Sequence, residues 1–278
     1  MARSSMPRFR ALALTLLALA ALAVPASAGA SVAGVGEDGQ LWVAGLGAEE
    51  NEISVSFAPQ ERRFLVVDPA GIQAGSPECS STGPGSVACE DPERRIGLIY
   101  LLMGDGNDVL RIDADGPDAV PADVRAVIDG GPGNDALLGG PGPDRLLGGP
   151  DGDTIAGDAG DDVLLGGEGD DGVIGFAGND RIDGGPGGDA LFGFRGNDLV
   201  IGGPGRNTLM GGNGADRLLG GAARDVLFGG KGRDRLIAGN GPDVIRARDR
   251  TRDPRIDCGP GSNERVFVDR VDPRPKRC

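Results

Sequence analysis

Thirteen oxygen-bearing side chains recur at intervals of nine: Asp135, Asp144, Asp153, Asp162, Asp171, Asp180, Asp189, Asp198, Asn207, Asp216, Asp225, Asp234 and Asp243. Carboxylates at a fixed spacing accept hydrogen bonds and ligate hard cations. The chain has no histidine, so Ser/His/Asp and Cys/His catalysis and His-containing zinc sites each lack an essential member. Carboxylate-only hydrolysis stays formally open. No nucleophile with its base and no catalytic metal signature marks the sequence, which therefore reads as a non-enzyme without catalytic or organic-cofactor residues.

The spacing implies how the carboxylates are positioned. From Gly130 to Arg246 the chain divides into 13 units of nine without insertion or deletion. Glycine fills the first position in twelve units, the second in ten and the fourth in eleven, which marks a turn over the first six residues. The eighth position is always Leu, Ile or Val, a three-residue strand with one inward side chain. Two units then make one coil of a flattened solenoid, and residues 18 apart stack about 4.8 Å from each other. The sixth-position side chains fall into two columns, one per edge. Asp135, Asp153, Asp171, Asp189, Asn207, Asp225 and Asp243 form the first; Asp144, Asp162, Asp180, Asp198, Asp216 and Asp234 form the second.

Neighbouring carboxylates in such a column repel by roughly 1 kcal/mol in water and by a few times that at an effective dielectric near 20. A divalent cation between successive turns relieves the repulsion and takes up carbonyl oxygens that glycine turns expose. Oxygen-only ligands select a hard ion, and flexible carbonyl-rich turns favour calcium over magnesium. The expected ligands are the sixth-position side chains, with turn carbonyls such as those of Gly131, Gly133, Gly140, Gly142, Gly167, Gly169, Gly185 and Gly187. Asp108 joins them from a first partial unit, "MGDGNDVLRI".

The pattern G-G-x-G-x-D-x-aliphatic-x, met in full by "GGPGNDALL" and "GGKGRDRLI", resembles the RTX, or hemolysin-type, calcium-binding repeat. The flanks are similar to those of exported actinobacterial proteins with such repeats. The resemblance implies an all-β fold, a right-handed parallel β-roll or β-helix solenoid with a β-rich N-terminal cap region and a short disulfide-closed C-terminal cap. It also implies calcium held by aspartates and carbonyls of two stacked turns, with at most six ions in one column and five in the other, eleven in all. Pore formation does not carry over, because toxins of the family leave cells through a channel read from the C-terminus, whereas this chain opens with an N-terminal signal.

That signal comprises Arg3, Arg8 and Arg10, an apolar run from Ala11 to Val24, and Ala26-Ser27-Ala28 before the expected cleavage point. Fourteen apolar residues fall short of the roughly 20 a bilayer span needs, so a secreted, extracellular protein that does not span the membrane is expected. The signal holds three of the 28 basic and none of the 42 acidic residues, leaving a mature net charge of -17 that repels nucleic acid. Grouping of the four cysteines favours Cys79 with Cys89 and Cys258 with Cys278 over the two long-range pairings.

Residues 29–129 read as a β-rich region leading into the solenoid, with strands in "QLWVAGLG", "NEISVSFA", "RRFLVVD" and "RIGLIYLL" and a cysteine-pinned loop, "PECSSTGPGSVACED". Residues 130–246 are the array and 247–278 the C-terminal cap. From Arg246 onward the tail carries ten basic and six acidic residues, which leaves a cell-envelope polymer or glycan as the macromolecular partner to consider besides calcium ions. A second reading makes the roll a calcium-stabilised scaffold of a secreted adhesin or hydrolase with its activity in 29–129.

Overall fold

The computed structural model describes residues 31–278 except 37–38, 46–49, 92–95, 115, 117 and 261–263. The expected signal over 1–28 lies outside the described residues.

Glycine at every turn and one buried aliphatic per nine residues produce two sheets, of twelve and thirteen strands, and no helix among the described residues. Successive units alternate between the sheets. Arg145–Pro150, Val163–Glu168 and Arg181–Asp183 lie in one, while Thr154–Ala159, Gly172–Ala177 and Ala190–Arg195 lie in the other. Pairing is parallel at an offset of 18, with Leu146 opposite Leu164 and Leu164 opposite Ile182. On the other sheet Ile155 faces Val173 and Val173 faces Leu191. Every eighth-position residue from Leu137 to Ile245 is fully buried between the sheets. The result is a parallel β-solenoid.

Ala136–Leu138 and Arg181–Asp183 have the three residues the pattern predicts, and the other strands of the array are longer. Arg145–Pro150 runs from the seventh position through the glycine pair to the third position of the next unit, and Leu199–Pro204 and Arg217–Ala222 do the same. Glycine imposes no side chain on its neighbour in the next coil, so the backbone ladder continues through it. Gly149 and Gly167 are themselves ladder partners.

The region before the array extends both sheets. Leu41–Ala44 pairs with Leu98–Leu102, and Glu52–Ala58 with Val109–Ile112, both parallel; Arg63–Val67 then turns back antiparallel on Glu52–Ala58. Four strands arise where they are predicted. The cysteine-pinned segment differs: Cys79–Gly83 and Ser86–Glu90 form an antiparallel hairpin with Cys79 opposite Cys89, and a disulfide joins them. The run Ser80-Ser81-Thr82 is exposed at the sheet edge, and Pro84-Gly85 supplies the reversal. A second disulfide links Cys258 and Cys278. Trp42 lies beside Tyr100 in the sheet and fills the space over Gly34 and Gly75, a packing role for both aromatics.

Backbone geometry explains the fourth-position glycine. Gly232 has φ +136°, and a Cβ there would overlap the carbonyl oxygen of Gly214 in the coil before it. Gly232→Ala is therefore expected to destabilise the chain by about 2 kcal/mol or more, from backbone strain and overlap together. Arg233→Ala, at the exposed neighbouring position, should stay within about 0.5 kcal/mol. Thermal unfolding at fixed calcium measures both.

Candidate metal centre

The sixth-position side chains form two continuous columns, and each does so by the same bond. The backbone N–H of Asp135 donates to Asp153 Oδ1 at 2.8 Å, that of Asp153 to Asp171 Oδ1 at 2.8 Å, and that of Asp171 to Asp189 Oδ1 at 3.1 Å. On the opposite edge Asp144 donates to Asp162, Asp162 to Asp180, and Asp180 to Asp198. These side chains are all buried. Fixed spacing thus gives each aspartate one oxygen that ties its turn to the preceding coil, a role not foreseen from charge alone.

The other oxygen has no partner. Oδ2 of every sixth-position aspartate except Asp144, and of Asp108, is buried and unbonded. It points toward the first glycine of its own turn, where a Cβ on Gly148 or Gly166 would collide with it. A buried, unpaired carboxylate oxygen is costly, and here it recurs eleven times in the array.

Asn207 shows what surrounds that oxygen. Its Oδ1 accepts the N–H of Asp189 at 2.9 Å, which fixes the amide so that Nδ2 takes the place of the orphaned oxygen. Nδ2 donates to the carbonyls of Gly203 at 3.2 Å and, weakly, Gly205 at 3.5 Å. These are the second and fourth positions of the turn. In an aspartate turn of the same shape, a carboxylate oxygen faces those carbonyls with no proton between them. Among the described residues no backbone N–H donates to the fourth-position carbonyls of Gly133, Gly142, Gly169, Gly187 or Gly214. Such a cluster of oxygens fits a cation. No three acidic side chains converge on one point among the described residues, so a cation in a turn takes its further ligands from the backbone. With both cysteine pairs oxidised and no histidine, only hard oxygen donors are on offer.

Not every expected ligand is equivalent. Both oxygens of Asp144 are engaged, Oδ1 by the N–H of Ala126 and Oδ2 by that of Gly140, each at 2.6 Å. Its column begins at Ala126, where the sequence has no aspartate. Asp108 does join the first column: it accepts from Asn51 N–H and donates to Asp135, across 27 residues. The columns also run beyond the repeats. Asp234 donates to Asp253 and Asp253 to Asp272, each at an offset of 19. The strict nine-residue count missed both. A weak signal exists, since "RDPRID" reads as a repeat strand lengthened by Pro254, and Ile256 is opposite Leu236.

The fifth-position residues also bond across coils. Asn179 N–H donates to Asp161 Oδ1 at 2.7 Å, Asn197 N–H to Asn179 Oδ1 at 3.0 Å, and Gly188 N–H to Asp170 Oδ1 at 2.7 Å. Short polar side chains beside the turn reach the next backbone donor while staying exposed.

Burial pushes the column carboxyls upward. Asp153, Asp162, Asp216 and Asp225 rise to about 7, chiefly through desolvation, and hydrogen bonds from the preceding coil only partly offset it. Asp135, Asp180, Asp189 and Asp234 rise to about 6 for the same reason. Each folded value exceeds the ordinary 3.8, so the metal-free fold binds more protons than the unfolded chain between about pH 4 and 7. Its stability is greatest at the acidic end and falls as pH rises through 6 to 7. In chelator the full chain should show more strand by circular dichroism at pH 5 than at pH 8. Half-saturation by calcium should need a higher concentration at pH 5 than at pH 8, because ligation requires the deprotonated form.

Comparison with known families places these geometric units. Residues 127–146, 138–173, 174–209 and 210–245 match the RTX calcium-binding nonapeptide repeat, in four copies. No curated protein and no solved structure matches the chain. The nine-residue register of residues 127–245 is thus that of a calcium-binding sequence family, and over these residues the solenoid is built of RTX calcium-binding nonapeptide repeats.

Proposed function

We infer that the chain is an exported, non-enzymatic calcium-binding protein whose roll completes its folding when it meets calcium outside the cell. The observation that carries this reading is the set of eleven buried Oδ2 atoms without a partner in the array. The ligands are the sixth-position aspartates and the second- and fourth-position carbonyls, with Asp108 and Asp253 extending the columns. Residues 130–246 would hold the ions and their flanks would close the ends. When bound, calcium supplies positive charge between oxygens that otherwise repel. At a free concentration about a thousand times Kd, one such ion stabilises the folded state by about 4 kcal/mol.

Export is supported by the signal-like N-terminus and by two disulfides, which persist in oxidising compartments. A chain that stays loosely folded where calcium is scarce and sets where it is abundant suits that route. Contact with an anionic envelope polymer or glycan would fall to the basic C-terminal residues, because both edges of the roll are lined with aspartate.

Asn207 divides the first column. Its amide already donates to the carbonyls that an ion would take, so that turn holds no calcium, and eleven ions is an upper bound that the chain does not reach. Calorimetric titration of the full chain should give fewer than eleven ions, and Asn207→Asp should add about one. A variant that adds none would remove the assignment of these carbonyls as ligands. Asp180→Ala should raise the calcium midpoint of the folding transition markedly, whereas Glu168→Ala, exposed at a variable position, should leave it unchanged. Equal shifts would count against the reading.

A further inference from the structure

One face of the roll departs from the repeat in a concerted way. On the sheet containing Gly172–Ala177 and Ala190–Arg195, the outward ninth-position residues line up as Ile174, Phe192, Met210, Phe228 and Arg246, ending at Phe267 of the C-terminal strand. Beside them stand Phe176 and Phe194, in second positions that are glycine in ten of the thirteen units. Both are exposed, at 43% and 42%, and their rings stack with centroids 5.7 Å apart. Both have left-handed backbone, φ 72° and 76°, where a bulky side chain is strained and glycine is not. Asp151, Asp158 and Ala223 share that backbone, so what sets Phe176 and Phe194 apart is the combination of strain with exposed, stacked rings.

The C-terminal end of this face forms a cleft of about 810 Å³, within the range of small-ligand sites. Phe194, Met210, Phe228 and Phe267 make it apolar, while Lys231, Arg246 and Arg248 bring three positive charges. The Arg246 guanidinium lies between two rings, 5.2 Å from the centroid of Phe228 and 5.7 Å from that of Phe267; Arg248 stands 5.5 Å from Phe267. Sandwiching holds the cations in place and strips part of their water. Among the described residues none of the three is in an ion pair. The one carboxylate in the lining, Asp249, already accepts backbone N–H groups from Gly232 and Thr251. On a chain of net charge -14, three uncommitted cations over an apolar floor are a local inversion of sign.

A second copy of the chain does not fit as occupant. Six strands at about 4.8 Å, three outward residues wide at about 6.7 Å each, cover about 580 Å², under the roughly 800 Å² per partner of a stable interface. An uncharged polysaccharide would leave Lys231, Arg246 and Arg248 without a counter-charge, and for its many hydroxyl donors the lining side chains offer only the Asn213 amide oxygen and Asp249, which already accepts two backbone N–H groups. We propose that the cleft binds a single anionic amphiphile, its carboxylate, phosphate or sulfonate head held by Arg246, Arg248 and Lys231 and its apolar body lying over Phe228, Met210 and Phe194. This binding is independent of the ion columns except that both need the folded roll.

The test is calorimetric titration of the full chain at saturating calcium with 1-octanesulfonate below its micelle concentration. One-to-one binding is expected, with methanesulfonate and octyl glucoside each at least tenfold weaker, since one lacks the tail and the other the charge. Arg246→Gln and Phe228→Ala should each weaken octanesulfonate at least tenfold with unchanged circular dichroism. Phe194→Gly is the sharper variant: restoring the repeat glycine should raise the melting temperature while weakening binding, a pair of effects that a structural role for Phe194 does not produce. Absence of octanesulfonate binding, or binding indifferent to Arg246→Gln, overturns the proposal. Tighter capture of polygalacturonate than of octanesulfonate reassigns the face to a polymer, and binding only to phosphatidylglycerol vesicles reassigns it to a membrane surface; either result refutes the single-amphiphile site.

Discussion

Buried oxygen facing buried oxygen is the constraint on which this molecule depends. Each turn of the roll brings an aspartate Oδ2 into a site from which water is excluded, beside carbonyls of its own turn, and the next coil repeats the arrangement one strand spacing away. Burial, helped by neighbouring carboxylates, raises the column carboxyls, several of them to about 6 or 7, so near neutral pH the metal-free fold is held between two unfavourable choices. It either keeps protons that solution withdraws or carries charges that nothing offsets. The aliphatic column between the sheets is regular and fully buried, yet it contributes one side chain per nine residues. The turns therefore decide whether the sheets persist.

Asn207 illustrates the constraint from the opposite side. Replacing one carboxylate oxygen by an amide nitrogen converts repulsion into two hydrogen bonds, with no change of turn shape and no ion. Asp144 solves the same problem differently, using the Gly140 N–H at the start of its column. Both sit where the electrostatic pattern of the array is interrupted, one at an end and one in the middle.

Much of this was legible in the sequence because a strict period converts directly into geometry. An offset of 18 fixes which side chains are neighbours, and the predicted columns and the buried eighth position follow from it, while the two disulfide pairings follow from the grouping of the cysteines at either end of the chain. What the period hid lies where it breaks. Asp253 and Asp272 continue the second column across single-residue insertions, and Asp108 joins the first across 27 residues. The hairpin at Cys79 and Cys89 reads as a loop because its Ser and Thr carry no apolar alternation. The bonds to Oδ1 were invisible for another reason: composition reports the charge of a carboxylate, while only the stacked backbone shows that one of its oxygens is already spoken for. Nor does periodicity reveal that Phe176 and Phe194 occupy left-handed backbone beside a row of outward aromatics.

The two disulfides stand at opposite ends of the solenoid. Cys79–Cys89 clamps the outermost hairpin of the thirteen-stranded sheet, and Cys258–Cys278 ties the chain terminus back beside Arg255–Asp257, the outermost strand of the other. A stack of coils ordinarily loses order by peeling from its tips, where each coil has a neighbour on one side only. Each bridge closes a short loop within its own cap, Cys79 with Cys89 inside the hairpin and Cys258 with Cys278 inside the tail, so it limits the freedom a cap gains on opening without fastening it to the coil inside it. The end units are stiffened one by one, and what seats them on the stack is strand pairing and burial.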